Sequence, residues 1–315
     1  MKKFFLKAGL FLALCMPPLL ILNTMYINTN HWKAENYVWK FNSVPNGIQL
    51  ANFGSSHGTY DFFYEGFSQY KTFNFALDSQ RYFWDYGILQ QYMSHFDSEA
   101  VVLLPISYFG ITSRPESYDS LRPRYYRFLE KQYFDRWNVI DAIRYAHLPI
   151  LSAGKNSMKC FDDVPPESID FFSSRTAFLE AEELREYCQK KHESWTNPEH
   201  EKGEEGYKQN LEEVCLLVDF CLKNGLKPVL ITTPITTVLN DIYAQQSPNF
   251  FSTFYRFIGD VLARFPDVPY FDYSHDQEFS QNVELFADGD HLNVYGARKF
   301  TARVVADLQA AGLLQ

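Results

Sequence analysis

Cysteine is scarce in this chain, with five in 315 residues, and no two form a C-x-x-C pair. That absence removes the usual sequence signature of a structural zinc site or a dithiol redox centre, and no metal or cofactor is expected. Cys15 falls in an apolar run. Cys160, Cys188, Cys215 and Cys221 are compatible with a disulfide outside the cell or with buried thiols. Runs rich in Lys and Arg are also missing. With 29 basic against 38 acidic residues and a formal charge of −9, the chain offers no footprint for a phosphate backbone. Nucleic acid is therefore not an expected partner. Internal repeats and low-complexity stretches are absent too. Hydrophobic residues make up 46% of the chain and aromatic ones 17%, enough to bury a large core in one big α/β domain or two smaller ones.

The N-terminus reads Met1-Lys2-Lys3, then an apolar stretch from Phe4 to Leu22 broken only by Lys7 and Pro17-Pro18. Its length lies between a secretory h-region and a spanning helix. No small-x-small cleavage pattern stands in Asn23–Asn28, which points to an uncleaved anchor over residues 1–27. The leading lysines predict a cytoplasmic tip and an extracytoplasmic remainder, a single-pass cell-membrane protein. Leu14 before Cys15 departs from the small residue a lipoprotein signal requires. A buried terminal helix of a soluble protein is the alternative.

Residues 28–45 read as a stalk and 46–315 as the extracytoplasmic domain. Gly47–Phe53 and Tyr70–Phe75 have strand character, and Gln80–Phe96 has helical spacing. Glu99–Ile106 is the continuous apolar run of a strand buried on both faces. From about 110 to 205 the pattern loosens into helical pieces, at Tyr125–Tyr145 and Arg175–Gln189, and a polar loop at His192–Gly206; this reads as an insertion. Regularity returns with a helix at Tyr207–Lys223 closed by Asn224-Gly225. A strand at Lys227–Pro234, a helix at Ser252–Phe265, a strand at Val268–Asp272 and a helix at Val294–Ala311 follow. Strand–helix alternation with short connections predicts a three-layer α/β/α fold around a mostly parallel sheet, flavodoxin-like in type.

Open parallel sheets carry function on loops leaving the carboxyl ends of their strands. Gly54-Ser55-Ser56-His57 follows the first strand, and Ser56 sits where a helix N-terminus can bind a developing oxyanion. A serine hydroxyl needs a base and a group to orient it. Asp288 and His291, three residues apart around a turn, supply such a pair, with Asp290 as an alternative orienting acid or a solvated side chain. His57 reads as a pocket wall or hydrogen-bonding neighbour. Ser274-His275-Asp276 has catalytic lettering, but consecutive side chains rarely face one another.

These two blocks resemble the SGNH or GDSL hydrolases, whose first block follows strand one and whose Asp-x-x-His block precedes the last helix. The resemblance implies Ser56 as nucleophile, His291 as general base and Asp288 as its orienting carboxylate. It places oxyanion or pocket candidates at Ser56, His57, Asn74, Ala76 and Ser107, with Ala76 near the family's second-block glycine and Ser107 where its asparagine usually stands. The layout is similar to membrane-anchored members that serve lipoteichoic acid D-alanylation and alginate O-acetylation. It implies a serine acyltransferase or esterase acting on acetyl or D-alanyl esters, with an envelope polysaccharide or teichoic acid as acceptor and an integral-membrane O-acyltransferase as partner. A catalytically silent SGNH-like polysaccharide-binding or partner protein, and an unrelated α/β binding protein, are the competing readings.

Overall fold

The computed structural model describes residues 1–112, 120–169, 172, 175–196 and 203–315. The chain divides into two compact units, one of residues 1–42 with 120–173 and one of 43–119 with 174–315.

In the first unit, helix α1 (Lys2–Ile27) contains both Pro17 and Pro18. It is long and apolar enough to cross a membrane, and Phe4, Phe5, Leu10 and Phe11 expose most of their surface. A short helix follows at Asn30–Ala34, started by the Thr29 hydroxyl, which accepts from Trp32 N, and 3-10 turns run over Glu35–Ser43. The 120–169 segment ties back to these turns. The Asp163 carboxylate accepts from the backbone N–H groups of Asn30 and His31 at 2.6 and 3.0 Å. The Arg127 guanidinium lies 3.5 Å over the Trp32 ring. The helical piece expected at Tyr125–Tyr145 is broken. A new turn at Val139–Ala142 begins because the Asn138 side chain caps Ile140 N and Asp141 N, and a π-turn follows at Ile143–His147.

The second unit is an α/β fold with a five-stranded, all-parallel sheet in the order β2-β1-β3-β4-β5 and flanking helices. Its elements run β1 (Ile48–Asn52), α2 (Ser56–Tyr60), β2 (Thr72–Asn74), α3 (Tyr82–Tyr92) and β3 (Phe96–Pro105). After α4 (Ala181–Trp195) come α5 (Gly203–Lys223), β4 (Lys227–Thr232), α6 (Thr237–Gln246), α7 (Asn249–Arg264), β5 (Tyr270–Asp272) and α8 (Val294–Ala310). Residues 100–105 of β3 and 228–232 of β4 are buried throughout, which is why both strands read as unbroken apolar runs. Each such side chain removed from water contributes about 1.5–3 kcal/mol, so the middle of the sheet anchors the unit. The Asn224-Gly225 stop of α5 holds, with Gly225 at φ +75°.

Two further segments depart from expectation. Helix α4 runs to Trp195 rather than ending at Gln189, because His192 is buried and bonds to Ser247 Oγ at 2.9 Å instead of entering a polar loop. Residues 197–202 of that loop, and 113–119 of the proposed insertion, lie outside the described residues. Helix α6 was not anticipated; the Thr236 hydroxyl starts it by accepting from Leu239 N.

With this strand order the chain reverses direction across the sheet between β1 and β3. The loops leaving these two neighbours therefore sit side by side, at the crevice where open α/β sheets place their ligands.

Candidate functional site

Gly54 leaves β1 at φ +101°, a conformation that favours glycine, and a Cβ there would press the Pro105 ring at 3.3 Å. The turn is clamped by Asp85, whose Oδ1 accepts from Gly54 N at 3.0 Å and from Gln80 Nε2 at 2.6 Å. Helix α2 then starts at Ser56. Its position against β1 depends on Gly58, where a Cβ would fall 2.2 Å from Phe53 O and 2.7 Å from Ala76 Cβ. Asn52 and Asn74 both donate to Gly58 O, at 2.8 and 2.9 Å, pinning α2 to the ends of β1 and β2.

The loop before α8 closes on itself. Asp288 Oδ1 accepts from Asp290 N at 3.0 Å and His291 N at 2.8 Å, and the carboxylate meets His291 Nδ1 at 2.9 and 3.1 Å. With Nδ1–H donated to Asp288, the neutral ring carries its lone pair on Nε2. Two anchors hold the loop in place. Thr236 donates through N and Oγ1 to Gly289 O, at 3.0 and 2.9 Å. On the other side, Asp61 Oδ1 accepts from Leu292 N at 2.9 Å, linking α2 to the loop over 231 residues of sequence.

His291 and the start of α2 come together. The His57 and His291 rings are 5.1 Å apart, and Tyr60 meets His291 edge-on at 5.0 Å. Ser56 is 8% exposed. Its Oγ makes no hydrogen bond among the described residues, and His291 Nε2 has none either, so the acid–base pair is closed while the serine is not joined to it. His57 is buried, with Nδ1 2.7 Å from Ser107 Oγ and Nε2 3.3 Å from Asp290 Oδ2. The Ser107 hydroxyl can donate to Nδ1 or accept from it, according to the tautomer of the ring.

Asp290 is fully buried rather than solvated. Its Oδ2 lies 3.6 Å from His291 Nε2 and 3.1 Å from Lys191 Nζ, and Oδ1 accepts from Tyr187 OH at 3.5 Å. Burial by itself would raise its pKa, but the electrostatic pull of His291 and Lys191 and the polar contact from His57 hold the carboxyl well below the usual carboxylate range. Asp61 goes the other way. Burial pushes it up to about 7, against the pull of His57 and the Leu292 N–H. Two buried acids a few residues from the same imidazoles are thus shifted in opposite directions.

Four of the five oxyanion or pocket candidates are engaged, Ser56 being the exception. Ala76 N donates to Asn74 Oδ1 at 3.0 Å, the Asn74 amide is spent on Gly58 O, and Ser107 is paired to His57. The lettering at Ser274-His275-Asp276 does structural work. Ser274 Oγ donates to Asp272, and Asp276 caps the turn at Gln277–Ser280. Lys191 and Tyr187 on α4, Asp61 and Asp85 were missed. The α4 residues lie in a charged helix with no distinguishing pattern, whereas an Asn at the end of an apolar strand, as at Asn52, is a readable signal. Beside Ser107, Tyr108 opens onto a cleft of about 430 Å³ bordered by Ile111, Ser247, Phe250 and Thr253.

No family model and no curated protein matches the chain. Among solved structures, one from Streptococcus pneumonia carrying the provisional name of a platelet activating factor is similar at 11% identity and a TM-score of 0.41, over 93% of this chain and 98% of that one.

Proposed function

We propose that the chain is a serine esterase or acyltransferase of SGNH type, anchored by α1, with Ser56 as nucleophile, His291 as base and Asp288 as the carboxylate that orients it. One observation carries the reading: a buried imidazole whose Nδ1 is held by Asp288, and whose Nε2 makes no hydrogen bond, lies 5.1 Å ring to ring from His57, the residue after Ser56. Ser56 Oγ attacks the ester carbonyl while its proton passes to His291 Nε2. The alcohol leaves with that proton, and an acyl-serine remains. A second hydroxyl, deprotonated by the same Nε2, takes the acyl group; water gives an esterase and an envelope polymer a transferase. Asp290 supports the imidazolium that forms, since its carboxylate faces Nε2. The cleft at Tyr108 and Phe250 is of ordinary ligand-site volume and offers the acceptor mixed polar and aromatic walls.

The test uses the full chain in detergent with p-nitrophenyl acetate, following p-nitrophenol release and the intact-protein mass. The expected result is an acetyl adduct on Ser56 and a loss of roughly 10³-fold or more in Ser56→Ala and His291→Ala. Equal rates in all three proteins, with no adduct, remove the proposal. A silent polysaccharide-binding or partner protein is the second reading, favoured by the engagement of Ala76 N, Asn74 and Ser107, and that outcome would select it.

A further inference from the structure

We propose that His57, Asp290 and His291 form a binding site for one divalent transition-metal ion of the zinc type. His57 Nε2, Asp290 Oδ2 and His291 Nε2 all lie within 4.8 Å of one another. The carboxylate oxygen is 3.3 Å from one imidazole nitrogen and 3.6 Å from the other. Zinc bonds to imidazole and carboxylate are about 2.0–2.2 Å, so neighbouring ligands on a tetrahedron stand about 3.3–3.6 Å apart. Both Asp290 edges therefore have ligand spacing before any ion is present, and a modest ring rotation closes the third.

Two further observations point to an ion. All three side chains are more than nine-tenths buried, and none of the three converging atoms has a hydrogen-bond partner among the described residues. Leaving a buried polar atom unsatisfied costs about 1–3 kcal/mol, and here the two imidazole Nε2 atoms both stand beside an Asp290 oxygen paired with Lys191. The outer shell is also in place. The remaining nitrogen of each histidine is fixed, His57 Nδ1 by Ser107 and His291 Nδ1 by Asp288. Metal-bound imidazoles are commonly held by a carboxylate, as His291 is by Asp288. Three protein ligands leave a fourth position for water or a ligand oxygen.

In the ion-free protein the Lys191 ammonium, 3.1 Å from Asp290 Oδ2, supplies the counter-charge. Its side chain is 20% exposed on a flexible stem, so it can swing away when an ion arrives. Lys191 thus competes with the metal. No ligand spacing announces the site in sequence, because His57 leaves β1 and the other two residues precede α8. An ion there engages His291 Nε2, so on the proposed esterase reading zinc would act as an inhibitor, although its binding does not depend on that reading.

The test is calorimetric titration of Zn²⁺ into the metal-stripped full chain in detergent, in wild type and in Ser56→Ala, where no catalysis intrudes. One ion per chain is expected in both. Asp290→Asn and His57→Gln should each weaken binding at least 10-fold, while Lys191→Met should tighten it several-fold. The Lys191 variant keeps the test decisive if a ligand variant fails to fold. No stoichiometric binding, or an affinity indifferent to Asp290→Asn and Lys191→Met, overturns the proposal. An absent Ser56 acetyl adduct, with zinc binding intact, would instead count against the esterase alone.

Discussion

Asp61→Asn should change how the stability of the protein depends on pH without breaking the contact that positions the loop before α8. An asparagine Oδ1 still accepts from Leu292 N, where Asp61 Oδ1 now lies at 2.9 Å. What disappears is a carboxyl raised by burial to about 7 in the folded state, against about 3.9 in the unfolded chain. Between those values the native protein holds a proton the unfolded chain has released. Wild-type stability therefore falls as pH rises through this window and levels off above it. Integrated from pH 5 to 8, the loss is about 2–3 kcal/mol, equivalent to roughly 5–10 °C in Tm for a unit of this size. The Asn variant lacks this term. Thermal melts of both full-length chains at pH 5, 6, 7 and 8 should show the variant gaining on wild type with each step. A Tm difference that stays constant across the series would refute the burial-driven shift.

Asp288→Asn should cut kcat by about 10⁴ while leaving the fold intact. Its side-chain oxygen stays with the N–H groups of Asp290 and His291, which turns the amide NH2 toward His291 Nδ1 and forces the proton onto Nε2; steady-state ester hydrolysis reads the loss. Gly58→Ala places a methyl 2.2 Å from Phe53 O, and a melt should show destabilisation of at least about 1–3 kcal/mol. Gly289→Ala meets Cys188 Sγ at 2.5 Å; activity should fall more than Tm, since that contact displaces the loop carrying Asp288 and His291.

The parallel sheet was legible because its middle strands are buried on both faces and advertise it as unbroken apolar runs, at Ala100–Pro105 and Pro228–Thr232. The Asp288–His291 contact was legible for a local reason, three residues around one turn. Helix α6 and the last turn of α4 were not, because polar residues such as His192 and Gln246 face partners that only the fold supplies. The role of Asp290 was hidden in the same way. Whether an aspartate is solvated or fully buried against two imidazoles and a lysine depends on segments far apart in the chain, and no periodicity encodes that meeting.

The difference between the two halves of the site sets an order of assembly. The Asp288 carboxylate finds its three N–H donors within its own short loop, so that half organises itself almost as soon as the loop forms. Its docking against α2, by contrast, closes a contact spanning 231 residues, the kind of long loop that delays folding. Until that closure the loop carrying Asp288 and His291 stands complete but apart from the helix that begins at Ser56.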